Sequence, residues 1–304
     1  MIPAFRDGAV PALPYVLSVC VLALYGAGVR RYNRRHAARP FPAWRAAAFG
    51  LGVVSAAAAL GPPLDGLSAW FLSAHMAQHL LLMLVAAPLV LLGTPVRIAR
   101  QSGLPALERA AAAVAHSRAV RAVTWPPAAW ALYAAVLAGS HFSPLYEAAL
   151  ERPAVHVLEH ALYLAAALVF WYPVVGLDPS PWRMGYGLRI LYVAAALPVQ
   201  SFLGLAIYSA RRPLYPHYVL TAAVRGTSMQ PVRAALADQR TGGVIMWLAG
   251  GLPVIAAMLL LAAAWAAEDR RLADHLDRAG RSSRISPTSA AVMPSAPRSA
   301  SHQP

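Results

Sequence analysis

The sequence predicts an all-α fold: a polytopic membrane helix bundle of about seven transmembrane helices, N-terminus outside and C-terminus inside. Three observations carry this reading. Of 304 residues, 59% are hydrophobic and 12% charged, with a mean hydropathy of +0.50, whereas a soluble domain carries about 25% charged residues. The apolar residues gather into seven runs near the spanning length of about 20 residues. The arginines lie mostly between those runs, with unequal weight on alternate connections.

The runs cover residues 11–29, 44–60, 67–92, 125–141, 155–175, 188–208 and 244–267. The first follows a stretch with no basic n-region and no small-residue cleavage motif, so it reads as an anchor and not as a cleaved signal peptide. The second and fourth are short and Ala-rich. The third and sixth contain Pro88 and Pro198, which should kink their helices. The first connection holds Arg30, Arg31, Arg34, Arg35, Arg39 and Arg45 with no acid, and the third holds Arg97, Arg100, Arg109, Arg118 and Arg121. The positive-inside rule places both in the cytoplasm, with the end of the chain. The large connection 209–243 opposes this assignment, because it is placed outside yet carries Arg211, Arg212, Arg225, Arg233 and Arg240. Two regions result: a transmembrane domain at 1–267, and a cytoplasmic tail at 268–304. The tail is rich in Arg, Ser and Pro and should be largely disordered.

Composition also excludes functions. The formal net charge of +14 comes entirely from arginine. Its topological distribution explains it without a nucleic-acid partner, so membrane lipid is the expected contact. One cysteine, Cys20, rules out an intramolecular disulfide and a CxxC metal or redox pair. No Gly-rich phosphate loop and no nucleophile elbow is present, and no enzyme is expected.

The histidines carry the functional signal. His75 and His79 sit four residues apart inside an apolar run, on one face of a helix, with Met83 one further turn along that stripe. His156 and His160 repeat the spacing at the start of the fifth run, with Glu159 beside them. Under the topology above, six of the ten histidines collect at the outer face: these four, His141 and His217. One histidine in a spanning helix commonly only fixes packing. Two i,i+4 pairs at similar depth can share a metal, and neutral imidazole suits copper or zinc. The metal ligands expected are His75, His79, His156 and His160. Glu159 would orient an imidazole. Met76, Met83, His141, Glu159 itself, His217, Asp238 and Met246 form a second rank of metal candidates. His156-Val157-Leu158-Glu159-His160 also spells the His-x-x-Glu-His motif of inverted zinc peptidases. That chemistry needs a third ligand, and no separate Glu in a helical context offers one.

Four blocks of this chain resemble the multi-pass CtaG-type cytochrome c oxidase assembly factors. They are the segment from His75 to Met83 with Ala87-Pro88-Leu89 and Gly93-Thr94-Pro95; the segment from His156 to His160 with Phe170-Trp171-Tyr172-Pro173; the segment from Arg212 to Tyr218; and the segment from Asp238 to Trp247. The resemblance implies a multi-pass protein of the bacterial inner (cell) membrane that matures a haem–copper oxidase, with copper as cofactor or cargo. It implies oxidase subunits as partners, and a soluble extracytoplasmic copper carrier as a further one. Together these readings give an assembly factor that binds copper at its outer face and supports its delivery. The alternatives are a copper permease using the same ligands in transit, or a membrane cytochrome with bis-histidine haem ligation.

Overall fold

The structure is a computed structural model that describes residues 12–176, 180–226 and 229–285, with side chains described to residue 278. Among these residues the chain is helical and forms no strand. Two compact units are present, Met1–Leu261 and Ala262–Pro304; the bundle below belongs to the first.

In chain order, α1 is Leu13–Arg35 and α2 is Ala43–Leu60. The short α3 (Leu64–Ser68) leads into α4 (Leu72–Leu80). A π-helical segment, Leu81–Ala86, joins α4 to α5 (Ala87–Leu92). Three short helices follow, α6 (Pro95–Arg100), α7 (Pro105–His116) and α8 (Arg118–Val123). Then come α9 (Pro126–His141), α10 (Leu145–Glu151) and α11 (Pro153–Val175). The chain continues through α12 (Tyr186–Ala194), α13 (Ala196–Ser209), α14 (Pro216–Val224) and α15 (Pro231–Val244). A second π segment, Ile245–Ala249, leads to α16 (Gly250–Ile285).

Among the described residues, six stretches are long and apolar enough to cross a membrane: Leu13–Arg35, Ala43–Leu60, Leu72–Arg100, Pro153–Val175, Tyr186–Ser209 and Pro231–Arg278. The seventh expected run is α9. It has 16 residues, a rise of about 24 Å against a hydrocarbon core of about 30 Å. It nevertheless packs along α11, with Tyr133 and Leu137 buried in the common core.

Two boundaries differ from expectation. Segment 209–243 is not one long connection: it holds α14 and all but the last residue of α15, and Asp238 and Gln239 thereby sit on a helix packed against α4 and α13. Hydropathy missed this because Arg233, Asp238, Gln239 and Arg240 dilute an otherwise apolar helix. The helix also does not stop near residue 268; α16 continues to Ile285. Residues 286–304, the rest of the expected tail, and residues 1–11, expected to carry no cleaved signal peptide, lie outside the described residues.

Three prolines account for the breaks in the long helices. A proline ring collides with the carbonyl four residues earlier. For Pro88 that residue is Leu84, inside the first π segment; for Pro253 it is Ala249, the last residue of the second. For Pro198 it is Ala194, where α12 ends and α13 begins. Pro173 lies within α11 without interrupting it. Side chains satisfy carbonyls in the two π segments: Trp171 Nε1 donates to Met83 O at 2.8 Å, and Gln200 Nε2 to Met246 O at 3.1 Å. Where α13 crosses α15, Gly204 meets Gly243; a Cβ at Gly243 would lie 2.7 Å from Tyr208 N and 2.8 Å from Gly204 O. Only small residues allow backbones this close.

The bundle has two chemically different ends. At one, Arg35 lies 3.8 Å from Glu108 and Arg97 bonds the Tyr32 hydroxyl, so the first and third connections meet. Trp182 Nε1 donates to Arg121 O, joining the connection after α11 to the same end. At the other end, α3, the start of α4, the last turn of α9, α10, the start of α11, and α14 come together. The paired histidines are there.

Candidate metal centre

The first histidine pair stands on α4, whose cap comes from a distant helix. Phe71 precedes α4 in extended conformation and offers no side-chain cap. Asp238 of α15 supplies it: Oδ2 accepts from the Leu72 N–H at 2.6 Å and from the Ser73 N–H at 3.4 Å, while the Ser73 hydroxyl donates to Oδ1. A carboxylate here satisfies orphan donors and meets the positive end of the helix dipole. The second pair occupies the opening turns of α11, which starts on Pro153 after an extended Arg152. Proline suits this position because its missing N–H would have no helical partner.

The two pairs converge. His75 Nε2 lies 3.0 Å from His79 Nε2. The His156 and His160 ring centroids are 4.2 Å apart, and His75 is 5.1 Å from His156 and 5.4 Å from His160. His79 is 5.2 Å from His160. All four are buried, and so is Glu159, whose Oε2 lies 3.4 Å from His75 Nε2 and 4.0 Å from His79 Nε2. Two overlapping sets each bring three donor atoms within 4.8 Å of one another: His75, His79 and His160; and His75, His156 and Glu159. Glu159, a second-rank candidate in the sequence, stands here among the candidate ligands.

Aromatic and hydroxyl groups wall the cluster. Tyr163 stacks on His79 with centroids 3.9 Å apart, and Tyr146 tilts against His75 and His141. The Tyr163 hydroxyl contacts Ser140 Oγ at 2.5 Å and His141 Nδ1 at 3.0 Å. Tyr218, on α14, donates to Ser68 O at 3.0 Å and lies 3.4 Å from His75 Nδ1. With the Tyr218 proton directed at Ser68 O, the Tyr218 oxygen is placed to accept from His75 Nδ1–H. That tautomer leaves the Nε2 lone pair facing the cluster. Asp65 Oδ1 lies 3.2 Å from His156 Nε2. Its side chain is 26% exposed, against 5% for His156. Glu159, with Ser140, Leu162 and Tyr163, also lines a cavity of about 320 Å³ between α9 and α11.

The second-rank residues separate. His141 belongs to the cluster, 6.0 Å from His79 by centroid, with Nδ1 3.0 Å from Leu137 O and Nε2 buried without a hydrogen bond. His217 instead pins α14 down, with Nε2 2.9 Å from Ala69 O and its N–H donating to Glu147 Oε1 at 3.0 Å. Burial pushes the Glu147 carboxyl up, against the opposing pull of that N–H. Asp238 is committed to the cap. Met76 packs against α15 beside Gly242. Met83 does not extend the stripe: it lies in the π segment, where i→i+5 bonding ends the four-residue register. Met246 is buried in the second π segment. Sequence reasoning missed Asp65, Ser140, Tyr146, Tyr163 and Tyr218. Only the isolation of Asp65 in an otherwise uncharged connection could have flagged it.

The donor set fits a metal ion. A buried carboxylate needs compensating charge or hydrogen bonds, and both Glu159 oxygens lack a hydrogen bond of ordinary geometry. His79 Nδ1 likewise has none. An ion bonded at about 2.0–2.1 Å holds its donors about 3.3 Å apart, close to the 3.0 Å between His75 and His79 and the 3.4 Å between His75 and Glu159. Neutral imidazoles with one carboxylate match copper or zinc.

A buried, histidine-lined centre in a multi-helix membrane-type bundle defines the class of protein. The chain belongs to the cytochrome c oxidase caa3 assembly factor family (Caa3_CtaG), whose pattern matches residues 23–268. Among curated proteins it is similar to uncharacterized proteins of Mycobacterium bovis and Mycobacterium tuberculosis, each 28% identical over 266 residues, 85% of this chain and 39% of theirs. One from Mycobacterium leprae is 26% identical over 261 residues, 84% of this chain and 38% of its own. The chain thus spans about two-fifths of the length of these relatives. No solved structure matches it.

Proposed function

We propose that this chain is a bacterial inner-membrane assembly factor for a haem–copper oxidase, and that copper is its cargo. The observation that carries the reading is the convergence of two i,i+4 histidine pairs from α4 and α11 in one buried pocket with Glu159. Family membership supplies the oxidase; the donor chemistry supplies the metal. The protein acts as a carrier and not as a catalyst, passing copper to oxidase subunits and receiving it from a soluble extracytoplasmic carrier. In this reading α9 crosses the membrane as a seventh span, its shorter length met by local thinning or by flanking residues. The histidine end faces outward, opposite the arginine-rich connections. Bis-histidine haem is disfavoured among the four paired histidines, because rings 4.2–5.4 Å apart leave no slot for a porphyrin between them.

The test is the copper content of purified His79→Ala, His160→Ala and the double variant, with oxidase activity in cells carrying each. Either single change should remove most bound copper, and the double should be little worse, because groups acting at one site couple. Leu81→Ala controls for packing damage. Full copper and full oxidase activity in both single variants would reduce the histidines to packing residues. Copper accumulation inside vesicles containing the purified protein would replace the carrier with a permease.

A further inference from the structure

Two overlapping donor sets lie in the cluster: His75 belongs to both, and Glu159 of the second set also reaches to 4.0 Å from His79 of the first. His75, His79 and His160 form the first set; His75, His156 and Glu159 form the second. All five donors are buried alike, from 0% to 4% exposed. The way out is marked by Asp65, which contacts His156 of the second set and is 26% exposed on the connection between α2 and α4. A cluster meant only to store an ion does not need a second set or a carboxylate leading from it toward the connection.

We infer that copper occupies two successive positions in this cluster, pivoting on His75, and that the His156–Glu159 position is the staging point for release past Asp65. The inference rests on the copper reading above. The step is a ligand exchange. The copper–nitrogen bonds to His79 and His160 break, bonds to a His156 nitrogen and a Glu159 oxygen form, and the bond to His75 persists. No electron moves and the ion keeps its oxidation state. Exchange through a shared ligand keeps copper coordinated throughout, so no bare ion enters an apolar interior. Asp65 is a positioning residue. Its Oδ1, 3.2 Å from His156 Nε2, holds the ring in the tautomer with the proton on Nε2, which leaves the Nδ1 lone pair for the metal. Tyr218 does the same for His75 from the opposite nitrogen.

The experiment separates holding from releasing. Purified full-length protein is loaded with Cu(I) alone. Bound copper is counted, and its transfer to a bulky anionic Cu(I) chelator is timed. His156→Gln and Glu159→Gln should keep their copper but release it about tenfold or more slowly, and Asp65→Asn should slow release while Asp65→Glu restores part of the rate. Glu159→Gln is nearly isosteric and serves where His156→Gln accumulates poorly. His79→Ala should instead fail to hold copper. If His156→Gln and Glu159→Gln lose copper as fully as His79→Ala, there is one position and the inference is wrong. Release at the unaltered rate in those two variants overturns it equally. Full copper retention by His79→Ala and His160→Ala would sink the copper reading itself, a distinguishable result.

Discussion

Tyr218 touches two groups at once, a carbonyl on α3 and a ring on α4, and removing its hydroxyl tests whether ring orientation matters. Tyr218→Phe should leave the protein in the membrane but weaken copper binding about 10- to 100-fold, as for other partners of metal-bound histidine; competition against a Cu(I) chelator measures it. Asp238 gives the opposite profile. Asp238→Ala removes the cap of α4 and should cost about 1 kcal/mol of stability, while Asp238→Asn, also a capping residue, should cost less. Thermal unfolding in detergent compares the two. The histidine pairs were legible in the sequence because i,i+4 spacing alone places each pair on one helix face. Asp65, Tyr163 and Tyr218 were not, because their meaning arises only when helices far apart in the chain come into contact. Asp238 was misread for the same reason: a carboxylate 166 residues from the N–H it caps carries no local signal.

At the scale of the element, the informative positions are those where helices depart from regular geometry. In each π segment one carbonyl takes a side-chain donor, Met83 O from Trp171 and Met246 O from Gln200. Trp171→Phe keeps an aromatic side chain but loses the indole N–H, leaving Met83 O without its partner. It should destabilise the fold by about 1–3 kcal/mol, the cost of an unsatisfied buried polar group, read as a shift in the thermal transition. Gly243→Val should be worse, since its side chain would meet backbone on α13 and not a movable rotamer. The expected outcome is loss of folded protein from the membrane fraction, with Gly26→Ala, where a Cβ meets nothing within 4 Å, as the tolerated control. The proline breaks were legible because ring sterics act within one turn. The length of α15 was not, because its polar residues are satisfied by tertiary partners that hydropathy does not see.

For the whole molecule, the separation of an arginine-rich end from a histidine-rich end is the organising fact. A reporter active only outside the cytoplasm should work when fused within residues 143–152 and fail within 30–40; the reverse result would put the cluster on the cytoplasmic face. Part of the conflict raised by segment 209–243 has a structural cause. Arg225 donates to Trp70 O at 2.9 Å and lies 4.0 Å over the Phe71 ring, so it braces the turn into α4. The roof over the cluster, α14, bonds to Ser68 and Ala69, 148–150 residues earlier in the chain. At about 5–20 residues per second of synthesis, the proposed ligands leave the ribosome roughly 3–30 s before the roof that covers them, His160 last and His75 first. The nascent chain therefore passes through a stage in which its histidines are present but unsheltered. Closure of the pocket is a late event in biogenesis, timed by where α14 stands in the gene.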